Sequence, residues 1–241
     1  KNNKNSIFAI ANKELIIAGG KLLINKIFST NNILIPLDSE HFSLFRSQVK
    51  DKEINKIYIT ASGGPFYFKK KLNLQNVNLK QVLKHPKWVM GINNTIDSSN
   101  FINKILEIFE VSTLFNIDIK KIDFLISKEA YVHSIIIYKD SNISINCFEN
   151  NMLISLIKPL SFFYKLTSMK IRKQFLNIKY LNLLEFNDNR FKLSKYFNKF
   201  KNISHSRQIK LMILNNIAHK LYLNNIIRYN DIYDYINKKL F

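Results

Sequence analysis

Apolar runs that stop at short polar loops, each loop opening a helical pattern, set the tightest limit on how this chain folds. Ser6 to Ile10 (Ser-Ile-Phe-Ala-Ile) reads as a buried strand that ends in Ala11-Asn12-Lys13-Glu14. A helix is predicted over Leu15 to Phe28, with Gly19 and Gly20 marking close packing or a weak point inside it. Asn32 to Leu37 is a second apolar strand and delivers Asp38-Ser39-Glu40-His41 at its end; a helix then runs from His41 through Phe45 and Val49. Lys56 to Thr60 is a third strand, followed by the turn Ala61-Ser62-Gly63-Gly64-Pro65-Phe66. Strands alternating with helices predict an α/β fold, whose ligands gather beyond the carboxyl ends of the strands. All three polar loops follow a strand, so they are placed to converge.

A fourth polar segment lies further on. After Thr95-Ile96-Asp97, apolar residues at Phe101, Ile102, Ile105, Leu106 and Phe109 recur at helical spacing and set Asn103, Lys104 and Glu107 on another face. Ser98 or Ser99 is the expected N-cap, and free N–H groups beside a serine, Asn and Lys suit a phosphate. An ordinary amphipathic helix with an exposed Lys104–Glu107 pair accounts for the same pattern, and both readings stay open here.

Asp123 to Ile126 and Tyr131 to Tyr138 are strand-like, the second rich in β-branched residues. From Asn151 to Lys179 the periodicity blurs, and Pro159 interrupts it. Helical patterns return at Gln208 to Leu223 and Asp231 to Leu240. The expected organisation is a mixed-sheet α/β catalytic domain with flanking helices over 1–150, a linker over 151–180 and a small helical domain over 181–241.

Lys and Arg number 37 against 17 Asp and Glu, a net charge of +20. Such a balance ordinarily points to nucleic acid. Here the basic residues are scattered along the chain, and Lys, Asn, Ile, Phe and Tyr abound while Gly (5) and Pro (4) are scarce. An AT-rich coding sequence produces that composition, so nucleic acid is not the expected partner. No apolar run is long enough to span a bilayer, so no membrane partner is expected either. The single cysteine, Cys147, rules out an internal disulfide and reads as a small residue in a strand.

Asp38 and Glu40 are two apart at a strand end and share a side. Held together they repel unless a cation neutralises them. Glu107 is a candidate for a third oxygen, and a set of carboxylates without a cysteine or histidine pair favours Mg²⁺ or Mn²⁺ over zinc; a pair of exposed acids near a lysine is the other reading of Asp38 and Glu40. The Ser62-Gly63-Gly64-Pro65 turn is suited to cradling an anion, and His85 to donating to a phosphate or acting as an acid. Trp88 reads as a lid over the site or as a core anchor. Residue types and spacing thus reach an α/β domain with a divalent-metal site and a phosphate pocket, suited to Lewis-acid chemistry on a small phosphorylated hydroxyketone.

Five motifs occur in order: Ala11-Asn12-Lys13-Glu14, Pro36-Leu37-Asp38-Ser39-Glu40-His41, Ser62-Gly63-Gly64-Pro65-Phe66, His85-Pro86-Lys87-Trp88-Val89-Met90-Gly91, and Ile96-Asp97-Ser98 with Asn103-Lys104 and Glu107. Their order and spacing resemble the 1-deoxy-D-xylulose 5-phosphate reductoisomerase family, with weaker likeness continuing through Val132-His133-Ser134 and Leu214-Asn215-Asn216. The resemblance implies that Asp38, Glu40 and Glu107 hold the metal. It implies substrate contacts from Lys13, Ser39, Glu40, Ser62, His85, Ser98, Asn103, Lys104 and Glu107, with Ser62, Ser98, Asn103 and Lys104 around the phosphate. Lys13, Glu40 and His85 are the implied catalytic residues, and Asn12, Glu14 and Gly91 the contacts to the nicotinamide end of NADPH. Trp88 and Met90 are implied to close over the bound molecule. The implied reaction is a metal-assisted skeletal rearrangement followed by hydride transfer, giving 2-C-methyl-D-erythritol 4-phosphate.

The resemblance also implies a homodimer, with the strand Tyr131 to Tyr138 near the contact, and a plastid or apicoplast stroma, or alternatively a bacterial cytoplasm. The family's amino-terminal dinucleotide-binding domain has no counterpart here, so the chain is expected to be the catalytic and carboxy-terminal fragment of a longer enzyme. Asp97-Ser98-Ser99-Asn100-Phe101-Ile102 stands where the family usually has Asp-Ser-Ala-Thr-Met-Met, and Ser127-Lys128-Glu129-Ala130 replaces a common His-Pro-Gln-Ser run. A degenerate relative without turnover and a basic nucleic-acid-binding module are the alternative readings.

Overall fold

The computed structural model describes residues 6–85, 90–161 and 180–241. Trp88 and most of the expected linker lie outside them. The chain opens with β1 (Ile7–Ile10), α1 (Lys13–Phe28) and β2 (Ile33–Pro36). β1 and β2 pair in parallel as a two-stranded sheet, Ile7 opposite Ile33 and Ile10 opposite Pro36. α1 covers it with Ile16, Ile24 and Ile27, which pack with Leu34. The helix starts two residues before the predicted Leu15 because the Asn12 side chain caps it, accepting from Leu15 N at 2.6 Å. The weak point expected at the glycines is real: Gly20 takes φ 50°, ψ −148°, which breaks the helical path.

A second, five-stranded sheet has the order β6-β5-β3-β4-β7, formed by β3 (Ile54–Ala61), β4 (Ile122–Ile126), β5 (Val132–Tyr138), β6 (Ile143–Cys147) and β7 (Leu184–Glu185). β3 and β4 run parallel and the remaining pairs antiparallel, so the sheet is mixed, as expected. α2 (Ser39–Arg46) follows β2, its N-terminus capped by Asp38, whose carboxylate accepts from Glu40 N at 3.1 Å.

The short α3 (Leu79–Val82) precedes α4 (Ile92–Asn100) and α5 (Ile102–Phe115). Here the expected N-cap is corrected. Ser98 and Ser99 lie in the last turn of α4, and the break falls at Phe101, which adopts φ 69°. Two features place it there. The Asn100 side chain accepts the N–H of Ile102 at 2.9 Å, and the Phe101 ring is buried against Phe124, Phe186 and Phe191. Aromatic burial outweighs the cost of about 1–2 kcal/mol for a left-handed non-glycine residue.

α6 (Met152–Ser161) forms where the sequence pattern blurs. The chain ends with α7 (Leu193–Lys201), α8 (His205–Leu223) and α9 (Asp231–Leu240). These last helices bury Leu193, Phe200, Leu211, Tyr233 and Ile236 in one core with Ile57 and Ile59 of β3, Phe124 of β4 and Ile105 and Phe109 of α5. Among the described residues no helix is long and apolar enough to cross a membrane.

Candidate active site

The polar loops after β1, β2 and β3 do converge. A cavity of about 340 Å³ opens where they meet the α4–α5 junction. Lys13 reaches it from the first turn of α1; Asp38, Ser39 and Glu40 from the start of α2; Ser62 from the turn after β3; His85 and Gly91 from the loop between α3 and α4; Ser98 from the end of α4; and Asn103, Lys104 and Glu107 from α5. Every residue predicted to touch substrate or hold metal lines this one space. Of the predicted nicotinamide contacts, Gly91 lines it, whereas Asn12 and Glu14 do not, and the Asn12 side chain is engaged as the α1 cap.

Lys104 and Glu107 are buried, at 7% and 2% exposure, so the reading of a surface pair is excluded. The Lys104 ammonium bridges Glu107 Oε2 at 2.5 Å and Glu40 Oε1 at 3.1 Å. Asn103 donates its amide to Glu107 Oε1 and accepts from Lys13 Nζ at 2.6 Å, with Lys13 Nζ 3.7 Å from Glu107 Oε1. Burial, helped by the nearby Asp38 and Glu40 charges, raises the Glu107 pKa above the carboxylate range, against the pull of Lys104 and Lys13. Burial alone would lower the pKa of both lysines, but the surrounding carboxylates outweigh it, and both ammonium groups are held charged.

Among the described residues, no three His, Cys, Asp or Glu side chains stand together in an ion-binding cluster. Glu40 and Glu107 are instead drawn onto Lys104, the nearest cation available to them. The donor chemistry nonetheless fits a hard divalent ion: the carboxylates at 38, 40 and 107 all face one cavity and offer oxygen ligands only.

His41 and Glu110 underlie this cluster, and sequence reasoning did not single out either as a site residue. His41 Nδ1 lies 3.0 Å from Asp38 Oδ1, and its Nε2 lies 3.2 Å from the Glu107 carbonyl and 3.8 Å from Glu110 Oε2. Burial disfavours a charged imidazole, but Glu110 and Asp38 outweigh it and push the His41 pKa up to about 10. Asp38 is held well below the usual carboxylate range, because His41 and the two lysines overcome the burial that opposes ionisation. Burial pushes Glu110 up to about 7, against His41. The available signal was helical spacing: His41 follows Asp38 by three, and Glu110 follows Glu107 by three.

The other wall is built from small residues. Gly64 takes φ 56°, and a Cβ there would stand 2.9 Å from the Ser98 carbonyl, so the turn after β3 is pressed against the end of α4. Gly64 N–H donates to Ser62 Oγ at 3.4 Å, and Ser62 Oγ lies 3.5 Å from His85 Nε2. Burial, with Lys104 nearby, lowers the His85 pKa to about 4, which leaves the imidazole neutral near pH 7. Met90 lines the cavity, together with Thr60, Asn150 and His133. His133 is stacked on Phe148 at 3.7 Å between ring centroids.

Comparison with known proteins points to one family. The family model for the 1-deoxy-D-xylulose 5-phosphate reductoisomerase C-terminal domain matches residues 34–115. A protein of Pelagibacter ubique named 1-deoxy-D-xylulose 5-phosphate reductoisomerase is 37% identical over 229 residues, covering 93% of this chain and 58% of its own length. A Clostridium novyi protein of the same name is 32% identical over 247 residues, covering 98% of this chain and 62% of its own. Among solved structures, DOX-P reductoisomerase in complex with NADPH, fosmidomycin and magnesium superposes with a TM-score of 0.85 at 26% identity, covering 96% of this chain and 60% of that one. The Zymomonas mobilis enzyme in complex with NADPH gives a TM-score of 0.81 at 26% identity, covering 97% of this chain and 61% of that one. The chain therefore spans about three-fifths of the length of these relatives.

Proposed function

Because the chain belongs to the 1-deoxy-D-xylulose 5-phosphate reductoisomerase family, we propose that it carries the metal and substrate site of an NADPH-dependent enzyme converting 1-deoxy-D-xylulose 5-phosphate to 2-C-methyl-D-erythritol 4-phosphate. One observation carries this reading: residues from separate segments, singled out by their motifs, line a single cavity. Asp38, Glu40 and Glu107 are the residues that would hold Mg²⁺ or Mn²⁺. Such an ion, when bound, polarises the oxygens of a hydroxyketone.

The chain's own residues do the rest. Ser62, Ser98, Asn103 and Lys104 bind the phosphate, which fixes the orientation of the sugar before any bond changes. Lys104 exchanges partners in this scheme: once the carboxylates are otherwise engaged, its ammonium is available to the phosphate. Lys13 is held charged against Asn103 and Glu107, and is assigned to the reacting oxygens of the substrate. His85, neutral near pH 7, is able to accept a proton or donate a hydrogen bond. Gly91 at the cavity, with Asn12 and Glu14 flanking Lys13, would hold the nicotinamide end of NADPH, which would supply the hydride.

The expected homodimer is assigned to the side of the mixed sheet where β5 pairs with β6. β6 is the edge strand there, and Ile143 and Ile145 on it are exposed. The bacterial relatives favour a bacterial cytoplasm over the plastid stroma. The test is NADPH oxidation by the full-length protein with 1-deoxy-D-xylulose 5-phosphate. Turnover abolished by a chelator and restored by Mg²⁺ or Mn²⁺ supports the reading. Metal binding without turnover supports the degenerate relative instead.

A further inference from the structure

The end of α4 is held from behind by the last two helices. The Asp97 carboxylate is 5% exposed, and its Oδ1 accepts from Asn215 Nδ2 at 2.8 Å. His219 Nε2 stands 2.8 Å from the same oxygen and is fully buried. Asn215 and His219 are four residues apart on α8 and so present one face. The bracing continues along the turn: Ser99 Oγ lies 3.1 Å from Tyr229 Oη, and the Asn100 carbonyl accepts from Tyr233 Oη at 2.7 Å. Of residues 97–100, only Ser98 lines the cavity.

We propose that His219, with Asn215, is a positioning residue for the phosphate subsite, acting through Asp97 on Ser98. The proposal rests on the phosphate reading given above. Ser98 sits in a turn that cannot borrow its direction from α5, because the left-handed Phe101 interrupts the helix three residues later. Its direction is set by what flanks it. On the cavity side Gly64 lies close against the Ser98 carbonyl, and on the far side bonds from α8, α9 and Tyr229 in the loop between them hold Asp97, Asn100 and Ser99. A serine clamped from both sides presents its hydroxyl at a fixed place, which is what a phosphate anchor needs. The C-terminal helices thereby tune affinity for the phosphorylated end of the substrate while contributing no side chain to it.

The test uses the full-length protein with His219→Leu, His219→Gln, Tyr233→Phe and Ser98→Ala, and measures KM for 1-deoxy-D-xylulose 5-phosphate and binding of inorganic phosphate. His219→Leu is expected to weaken both on the order of tenfold while kcat changes by less than about twofold. His219→Gln is expected to restore most of the loss, because a glutamine amide placed where Nε2 stands, 2.8 Å from Asp97 Oδ1, can donate to that oxygen. Lower thermal stability of His219→Leu with unchanged phosphate affinity overturns the proposal. Should His219→Leu fail to fold, Tyr233→Phe removes only the bond to the Asn100 carbonyl. A selective rise in KM supports the proposal, and an unchanged KM overturns it. If Ser98→Ala itself leaves phosphate binding unchanged, the phosphate reading fails and this inference with it; if Ser98→Ala weakens binding and the His219 variants do not, only this inference fails.

Discussion

Lys104 Nζ lies 2.5 Å from Glu107 Oε2, between side chains that are 9% and 2% exposed. A buried pair of this kind is costly to desolvate and gains little net stability. The same ammonium also holds Glu40, and the exchange of partners proposed above makes both contacts ones that a bound ion would replace. Two opposite effects are expected from Lys104→Met. Removing the bridging charge destabilises the ion-free arrangement relative to the ion-bound one, so Mg²⁺ or Mn²⁺ should bind more tightly. Removing a phosphate partner should raise KM. Calorimetric titration of the metal and steady-state kinetics check the two, and looser metal binding would count against the exchange.

Glu107→Gln removes the charge of a proposed metal ligand instead. Loss of residues that merely orient metal ligands already costs about 10–100-fold in affinity, so losing a ligand should cost on the order of 100-fold or more. The fold should survive, because Lys104 keeps Glu40 as a partner. Titration of Mn²⁺ into the variant measures the effect, with the far-ultraviolet spectrum as the folding control. Unchanged affinity would remove Glu107 from the site.

His41 differs from both, since it is compressed between Asp38 and Glu110 beneath the cavity floor. His41→Phe keeps the volume roughly but leaves the buried Glu110 carboxylate without its neighbouring cation and deprives the partly exposed Asp38 of one. Breaking a buried charge pair on one side typically costs about 3–5 kcal/mol. A large fall in the unfolding midpoint is therefore expected, partly recovered by saturating Mg²⁺, which would neutralise Asp38. A loss below about 1 kcal/mol in denaturant titration would show that His41 is not needed to compensate them.

A carboxylate away from the site gives a cleaner pH dependence. Asp188 is bonded by Arg190 and by Lys70, and Arg190 also donates to the carbonyls of Tyr67 and Lys69, tying down the segment that follows the Gly63-Gly64 turn. Burial works to raise the Asp188 pKa, but these cations and the Arg190 N–H outweigh it and lower the pKa to about 2. A carboxylate with a depressed folded pKa stabilises above its unfolded pKa, near 3.9, and loses that contribution as pH falls toward the folded value. Thermal midpoints of the wild type and Asp188→Asn should therefore differ at pH 5 and draw together between about pH 4 and 2. A gap that persists undiminished at pH 2 would assign the stabilisation to something other than ionised Asp188.

The alternating strands and helices of the first half were legible because each strand ends at a polar loop, and α9 was legible because its apolar spacing is regular. The α4–α5 junction was misplaced. A serine-rich stretch has the composition of a cap, but the decision belongs to the Phe101 ring, whose pocket is made by residues as distant as Phe124, Phe186 and Phe191. The helix over 152–161 was hidden by Pro159, which breaks the local pattern. In the site, motif residues were found because they lie at loop ends, where side chains are free to do chemistry. His41, Glu110 and His219 were missed because their role comes from burial beside a particular partner, and spacing alone does not reveal burial.

Gly64 brings the packing of the site and its affinity into one measurement. Its φ of 56° is strained for any residue with a side chain, by about 1–2 kcal/mol, and a Cβ would meet the Ser98 carbonyl at 2.9 Å. That carbonyl cannot retreat, because the hydrogen bonds to Asp97 and to the Asn100 carbonyl hold the turn from the other side. Gly64→Ala should therefore destabilise the protein by about 1–3 kcal/mol and displace Ser98. The displacement should appear as a rise in KM for the phosphorylated substrate, larger than the accompanying fall in kcat, and as weaker inorganic phosphate binding at temperatures where the variant is fully folded. A variant that loses stability but binds phosphate as the wild type does would show that the turn after β3 gives way in place of Ser98, and would separate the two walls of the cavity mechanically.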